Sequence, residues 1–259
     1  MLTHPLLPKL RQLKLSGMLL TLETRAAQAV ERQLGPVEFL ALLLDDELER
    51  RNQQSLARRL QLSGCDEQKT LARFDFRAAP GVNRAFFQDL ASCAFIHRHE
   101  NLLLTGPSGV GKSHLANALA VEALKQELRV LSRGTHRLLA DLNAARASGT
   151  YTRFVAKLLA LDLLVLDDFG LQPLSAQAAA DLYDLMRDRY EHGSLIITSN
   201  RAFDEWSEVF GNDLLASAAL DRLTHHCHTL VIRGQSYRQR SRRKEVTSDP
   251  LASPADPVA

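Results

Sequence analysis

The sequence predicts an α/β domain with a mainly parallel sheet, preceded by a small all-helical N-terminal domain. From about residue 72 onward, short apolar runs alternate with helical segments, and few polar residues interrupt those runs. The first 62 residues show helical periodicity only. Alternating strands and helices are typical of parallel sheets, and continuously apolar strands fit burial on both faces.

The N-terminal region has apolar residues at three- and four-residue steps, as in Leu6, Leu10 and Leu13, which predicts amphipathic helices. Gly35 and Pro36 interrupt the pattern, and a proline suits the first turn of a new helix. That helix carries a second apolar stripe, and its far end is charged, which indicates a solvated surface. The stripe consists of Val37, Leu40, Leu44 and Leu48.

Five strands are predicted in the second region, at residues 101–105, 129–132, 163–167, 194–199 and 229–233. Helical segments lie between them. The last residues are rich in proline and small polar side chains, a composition typical of disorder. We therefore expect three regions: a helical N-terminal domain over 1–65, the α/β domain over 66–240, and a basic, then disordered tail over 241–259.

Composition limits the classes of protein. The chain has 259 residues, 45% of them hydrophobic and 24% charged, and a formal net charge of +2, which is ordinary for a globular protein. The N-terminus lacks a signal-peptide pattern, and no apolar run approaches the roughly 18 residues of a membrane-spanning helix. The three cysteines show no C-x-x-C spacing. We expect a cytoplasmic protein with reduced thiols and no membrane partner.

A phosphate-binding loop follows the first predicted strand. Its sequence matches G-x-x-x-x-G-K-S at every fixed position, and the backbone N–H groups of such a loop bind phosphate oxygens. We expect Lys112 to reach the β- and γ-phosphates and the Ser113 hydroxyl to ligate Mg²⁺. Because the motif is complete, we favour phosphate binding over the alternative, a strand–helix turn without a ligand. The predicted nucleotide contacts are Gly106, Pro107, Ser108, Gly109, Val110, Gly111, Lys112, Ser113 and His114.

Polar side chains end two further strands. Asp167 and Asp168 follow an apolar run, and buried paired carboxylates are costly unless a cation lies nearby. We expect Asp167 to be an outer-sphere partner of Mg²⁺ and Asp168 to act as the general base for the attacking water. Asn200 either holds that water or the γ-phosphate, or it is a turn-forming residue before Arg201. These stretches together predict a nucleoside triphosphate as the ligand.

Several segments resemble the AAA+ ATPases, and more closely the IstB/DnaC group, in particular the IstB-like helper ATPases of insertion-sequence transposition. The resemblance rests on residues 74–76, 95–120, 163–170, 196–200 and above all 221–238, DRLTHHCHTLVIRGQSYR. It implies a P-loop AAA+ type three-layer α/β domain, ATP and Mg²⁺ as cofactors, and slow hydrolysis stimulated by DNA or a partner. It also implies ATP-dependent homo-oligomers on target duplex DNA and recruitment of a cognate transposase.

Two other functions stay open beside this one. A DnaC-like replicative helicase loader would share the ATPase core but act with a helicase on single-stranded DNA. A metabolic P-loop kinase would need an acceptor pocket, and the sequence shows neither an acceptor motif nor a lid that supports one.

The resemblance also implies a role for Arg222, as an arginine finger that reaches the γ-phosphate of a neighbouring protomer. A simple ion pair with Asp221 or Glu208 is the alternative. In one position the chain departs from the family. Most members end the third strand in Asp-Glu, whereas this chain has Asp167-Asp168, which leaves the geometry of water activation open.

Two further groups of residues have competing interpretations. Residues 225–228, His-His-Cys-His, offer four consecutive metal ligands, but four such side chains cannot all converge on one ion from a helix or a strand. We therefore favour packing at a helix-to-strand junction over zinc binding. Phe74 and Phe76 either lie near the nucleotide base, as the resemblance suggests, or pack in the core.

Basic residues predict contact with DNA. Residues 233–244 carry six basic side chains and no acid, and such a run favours phosphate backbones without reading sequence. A solvated basic tail is the alternative. With the resemblance, we expect largely non-specific binding of double-stranded DNA. The expected contacts are Lys9, Arg11, Lys14, Arg238, Arg240, Arg242, Arg243 and Lys244.

Overall fold

The structure is a computed structural model that describes residues 5–234, 236 and 237. The chain divides into two compact units, Met1–Gln61 and Leu62–Ala259. The tail over 241–259 lies outside the described residues, as do five of the expected DNA contacts: Arg238, Arg240, Arg242, Arg243 and Lys244.

Three helices build the first unit: α1 (Leu6–Gln12), α2 (Ser16–Glu31) and α3 (Pro36–Ser63), whose last residues extend beyond that unit. As predicted, α3 begins at Pro36. The start of α2 approaches α3 so closely at Gly17 that a Cβ there would lie 2.6 Å from the Cα of Glu47. The buried Glu47 carboxylate accepts hydrogen bonds from the Gly17 N–H (2.6 Å) and from Arg51 Nε (2.7 Å). Glu47 thus satisfies a free N–H group at the N-terminus of α2.

The apolar stripe of α3 faces solvent in the structure. Val37 is 80% exposed and Leu48 58%, whereas Leu43 is 6% exposed. The buried positions of α3 are therefore offset from the stripe that the sequence shows, because the close contact at Gly17 brings the Leu43 and Glu47 side of the helix inward.

The second unit contains a five-stranded sheet, which confirms the predicted fold class. Its strands are β1 (Asn101–Thr105), β2 (Val130–Gly134), β3 (Leu163–Phe169), β4 (Ser194–Ser199) and β5 (Cys227–Val231). Their order is β2-β3-β4-β1-β5, and every pair is parallel. The carboxyl ends of β3, β4 and β1 are therefore neighbours at one edge of the sheet.

Eight helices belong to the second unit within the described residues. Before the sheet lie a 3-10 turn (Leu71–Arg73) and two short helices, α4 (Arg84–Leu90) and α5 (Ala94–His97). The others are α6 (Lys112–Lys125), α7 (Thr135–Ala147), α8 (Tyr151–Leu159), α9 (Ala176–Arg189), α10 (Trp206–Phe210) and α11 (Asp213–His225).

The sheet lies between two helical layers. Helix α6 packs against β1, β2, β3 and β4. The other side forms a core with α7 to α11, in which Phe169 of β3 contacts Trp206 at a ring-centroid distance of 4.3 Å. None of the helices in the described part of the chain is long and apolar enough to cross a bilayer.

Candidate nucleotide site

The phosphate loop joins β1 to α6, and glycines are required at both of its ends. At Gly106 (φ 143°) a Cβ would lie 2.1 Å from the carbonyl oxygen of Ile232, the residue that follows β5. At Gly111 (φ 101°) a Cβ would lie 2.6 Å from the ring of Phe74. Larger side chains at either position would displace backbone or an aromatic ring, so the loop needs these glycines for close packing as well as for its backbone angles.

The Lys112 side chain is folded back into the loop. It is only 4% exposed, and its ammonium group donates to the carbonyls of Gly106 and Pro107 (both 2.8 Å) and to Asn200 Oδ1 (2.6 Å). Burial lowers the pKa of Lys112, and the nearby Asp168 and Asp167 carboxylates partly offset that effect. These three acceptors are neutral, and a phosphate oxygen would give the ammonium group a charged hydrogen-bond partner at this position.

The two aspartates are presented by an irregularity in β3. Leu166 pairs with Ile197, but the next pair is Phe169 with Ser199, so β3 carries one extra residue here. Asp168 adopts a left-handed backbone conformation (φ 55°) at this bulge. Bulges of this kind redirect side chains and are common beside functional sites.

Thr198, in β4, holds both aspartates in place. Its hydroxyl donates to Asp167 Oδ1 and accepts the backbone N–H of Asp168 (3.0 Å). Thr198 is fully buried. The phosphate-loop and aspartate motifs do not include it.

The residues predicted to hold Mg²⁺ fit that ion chemically. Ser113 and Asp167 are half-buried and supply a hydroxyl and a carboxylate oxygen, which are the ligands that Mg²⁺ prefers. Both line the same cleft, together with Lys112, Asp168 and Asn200. The structure thus brings together the predicted residues from the ends of β1, β3 and β4.

The cleft has a volume of about 550 Å³ and continues beyond the loop. Phe74 lines it and packs against the His114 ring (5.3 Å between centroids), whereas Phe76 packs behind Phe74 (4.8 Å). His114 Nε2 lies 2.9 Å from the carbonyl oxygen of Thr70, so it joins this segment to α6. The cleft therefore has an aromatic wall at Phe74, and Phe76 supports that wall.

Residues after β5 close the other side of the cleft. Arg233, Gly234 and Tyr237 line it, and the Tyr237 N–H donates to the carbonyl of Gly109 in the loop (3.0 Å). The sequence pattern of this stretch indicated only DNA binding and the family signature. Its packing on the loop depends on the path of the chain after β5, which no local pattern encodes.

Arg222 lies away from the cleft, in the last turn of α11. It lines a small cavity with Asn101 and Leu195, which stand at the amino ends of β1 and β4. A five-residue strand spans roughly 17 Å, so Arg222 and the phosphate loop are at opposite edges of the sheet.

The contacts of Arg222 test the interpretation that it forms a simple ion pair. Its Nη1 donates to the carbonyl of Ala218 (2.7 Å), and its guanidinium lies 5.5 Å from the centre of the Tyr183 ring. No ion pair with Asp221 or Glu208 forms in the described part of the chain, and Glu208 lies 3.4 Å from Arg201 instead. The simple ion-pair interpretation of Arg222 is therefore wrong.

The remaining predicted residues lie outside the cleft. Lys9 and Arg11 are exposed on α1, and Lys14 is exposed just after it. The three cysteines are free thiols. The predicted helix-to-strand junction is present at residues 225–228, where α11 ends and β5 begins.

The chain is similar to known proteins over almost its whole length. Residues 8–245 match the family of IstB-like ATP binding proteins. An ATP-binding protein of insertion sequence IS21 from Pseudomonas aeruginosa is 40% identical over 241 residues, which covers 93% of this chain and 91% of that protein. An ATP-binding protein in an insertion sequence of Mycobacterium tuberculosis is 40% identical over 240 residues, covering 92% and 96%.

Solved structures share the fold at low identity. The DnaC helicase loader superposes with a TM-score of 0.54 at 22% identity, covering 64% of this chain and 98% of that chain. Domain III of the Thermotoga maritima replication initiation protein DnaA gives 0.55 at 20% identity, covering 72% and 78%. The fold is thus of the AAA+ type. With the family match and the two relatives, the chain belongs to the IstB-like ATP-binding proteins of insertion sequences.

Proposed function

We propose that this protein is an ATP-hydrolysing helper of DNA transposition, which assembles with ATP on duplex DNA and recruits a transposase. One observation carries the ATPase part of the proposal. The ends of three neighbouring strands bring a buried lysine, two aspartates and an asparagine to one cleft. This arrangement suits phosphoryl transfer to water, in which positioning and charge stabilisation do most of the work.

Each residue of the cleft has a distinct role in the proposed reaction. Lys112 binds the β- and γ-phosphates, and Ser113 and Asp167 hold Mg²⁺, which neutralises developing phosphate charge. Asp168 accepts a proton from the attacking water, and Asn200 orients that water or the γ-phosphate. Asp is one methylene shorter than the usual Glu, and the bulge that carries Asp168 alters its reach. We therefore expect slow hydrolysis that DNA or the partner stimulates.

Arg222 is proposed to act on a neighbouring subunit. It lies at the opposite edge of the sheet from its own loop, so it can approach a γ-phosphate only in another protomer. Its side chain is held by Ala218 and Tyr183 without a carboxylate, which leaves its charge free of any ion pair in the described residues. ATP would then lie between subunits and favour a homo-oligomer.

DNA and the transposase are proposed partners. The relatives at 40% identity are ATP-binding proteins of insertion sequences, which supports the helper over the helicase loader, whose support is a shared fold at 22% identity. We assign DNA or partner binding to the helical domain over 1–65, with Lys9, Arg11 and Lys14, and to the tail over 241–259. ATP hydrolysis is assigned to 66–240.

A reconstituted strand-transfer assay tests this function. The purified chain, the transposase encoded beside it and a duplex target are combined with or without ATP and Mg²⁺. We expect strand transfer to require the chain and ATP, and duplex DNA to stimulate hydrolysis. Stimulation by single-stranded DNA and a replicative helicase alone, without any effect on strand transfer, would identify a helicase loader instead.

A further inference from the structure

The end of α11 and the turn after α9 bring three possible metal ligands together. The ligand atoms of Glu191, His225 and His226 lie within 4.8 Å of one another, and all three residues are exposed. In the described part of the chain, they form the one group of three or more histidine, cysteine or acidic side chains close enough to share an ion. Glu191 is distant in sequence, so no motif search would join it to the histidines.

The last two residues of the His-His-Cys-His run contact groups other than Glu191. Cys227, the first residue of β5, packs against the core of the sheet. His228 Nε2 lies 2.8 Å from a carboxylate oxygen of Glu100. The run is therefore divided, and only its first two residues are available to meet Glu191.

One of the histidines is already oriented by a hydrogen bond. The Tyr190 hydroxyl lies 2.8 Å from His225 Nδ1, so the other ring nitrogen, Nε2, is left for a ligand. Metal-bound histidines commonly make such a bond through the nitrogen that does not touch the metal, and it fixes the ring and its tautomer.

The surroundings favour a cation. Helix α9 ends at Arg189, two residues before Glu191, and α11 ends at His225, so two helix C-termini with partial negative charge lie beside these ligands. Glu191 adds a carboxylate. Arg189 and Arg222 line the same small cavity. Their guanidinium groups donate to main-chain carbonyls, that of Arg189 to Ser194 and that of Arg222 to Ala218.

We propose that Glu191, His225 and His226 form a binding site for a divalent transition-metal ion of the Zn²⁺ class. Two imidazoles and one carboxylate are a common zinc ligand set, with water in the fourth position. The site is separate from the nucleotide cleft and does not depend on the proposed function. It would fix the end of α11, one turn from Arg222.

Metal titration of the full chain tests the site. The protein, free of any histidine tag, is stripped with a chelator and titrated with Zn²⁺ against a chromophoric indicator in excess Mg²⁺, which occupies oxygen sites but not imidazoles. We expect one equivalent of Zn²⁺ to bind to each chain. Binding should be about tenfold or more weaker in the His225→Ala/His226→Ala variant and in Glu191→Gln, and weaker in Tyr190→Phe. His192→Ala, exposed beside Glu191, is the matched control and should bind like the parent chain.

Cobalt replaces zinc in a second measurement. Co²⁺ bound by nitrogen and oxygen gives visible d–d bands without the thiolate charge-transfer band that Cys65, Cys93 or Cys227 would produce. Unaltered Zn²⁺ affinity in the folded double variant and in Glu191→Gln, a thiolate band, or no stoichiometric binding would overturn the proposal. Melting curves recorded without metal establish that each variant is folded, and the conservative Glu191→Gln variant keeps the test valid if the double variant unfolds.

Discussion

The ammonium nitrogen of Lys112 lies 2.6 Å from the side-chain oxygen of Asn200, so one hydrogen bond joins the phosphate loop to the end of β4. Both groups face the cleft that Asp167 and Asp168 also line. We expect the phosphates of ATP to replace the neutral acceptors of Lys112. The interaction then becomes charged on both sides, which adds Coulomb attraction between the ammonium group and the phosphate.

Removing the lysine should abolish nucleotide binding. In Lys112→Ala the loop loses the charge that reaches the phosphates, so we expect no measurable binding of a fluorescent ATP analogue in an equilibrium titration. Lys125→Ala, at the other end of α6 and ion-paired with Glu122, is the matched control and should keep the parent affinity. Equal affinity in a folded Lys112→Ala protein would refute the assignment of the phosphate loop.

The second prediction concerns Asp168. Asp168→Asn should bind ATP and DNA normally but hydrolyse ATP more slowly, because an amide can hold a water but cannot take its proton. Asparagine tolerates the left-handed backbone at this bulge, so the substitution leaves the fold in place. Phosphate release in the presence of duplex DNA is the measurement, and turnover at the parent rate would exclude Asp168 as the base.

Thr198 gives a prediction that the sequence did not suggest. Thr198→Val keeps the shape of the side chain but removes the hydroxyl bonded to Asp167 and to the Asp168 backbone. We expect slower hydrolysis with a smaller change in ATP affinity, measured by kcat and by nucleotide titration. Thr198→Ser should recover most of the activity. Full activity in the valine variant would show that the bulge holds the aspartates without this residue.

DNA binding should be largely independent of sequence and steeply dependent on salt. Replacing Arg240, Arg242, Arg243 and Lys244 by alanine should lower the slope of log K against log salt by about 0.9 for each DNA phosphate that the variant no longer neutralises. Fluorescence anisotropy with duplexes of different sequence measures both properties. Arg187→Ala, which removes a charge already paired with Asp184 and Asp188, should leave the slope unchanged. The same slope in the fourfold variant would mean that the tail only extends into solvent.

Local patterns predicted the sheet but not the shortest helix of its second helical layer. Its strands could be predicted because they are buried on both faces and therefore apolar without interruption. Helix α10 has five residues, which are too few to show a helical period. Such elements are stabilised by the core they share with Phe169 and Trp206, so their sequences alone do not show them.

The functional site likewise combines residues that the sequence predicts with features that depend on the fold. The phosphate loop and the two aspartates could be found because their chemistry restricts residue type at fixed spacing. The bulge at Asp168 could not, since it depends on the register between β3 and β4. The position of Arg222 at the other edge of the sheet, and the meeting of Glu191 with His225, likewise follow from topology and not from any local pattern.

We propose that Arg222 of a neighbouring subunit completes each nucleotide site, and a mixing experiment tests this arrangement most directly. Arg222→Ala alone should bind ATP, but its rate of hydrolysis should fall by roughly three orders of magnitude if Arg222 acts as a full arginine finger. Lys112→Ala alone should be inactive because it cannot bind ATP. When the two variants are mixed on duplex DNA, a Lys112→Ala protomer supplies the missing arginine to its neighbour, so we predict that hydrolysis recovers with a maximum at intermediate ratios. Hydrolysis that stays at background at every ratio, while mixed oligomers form, would contradict the claim.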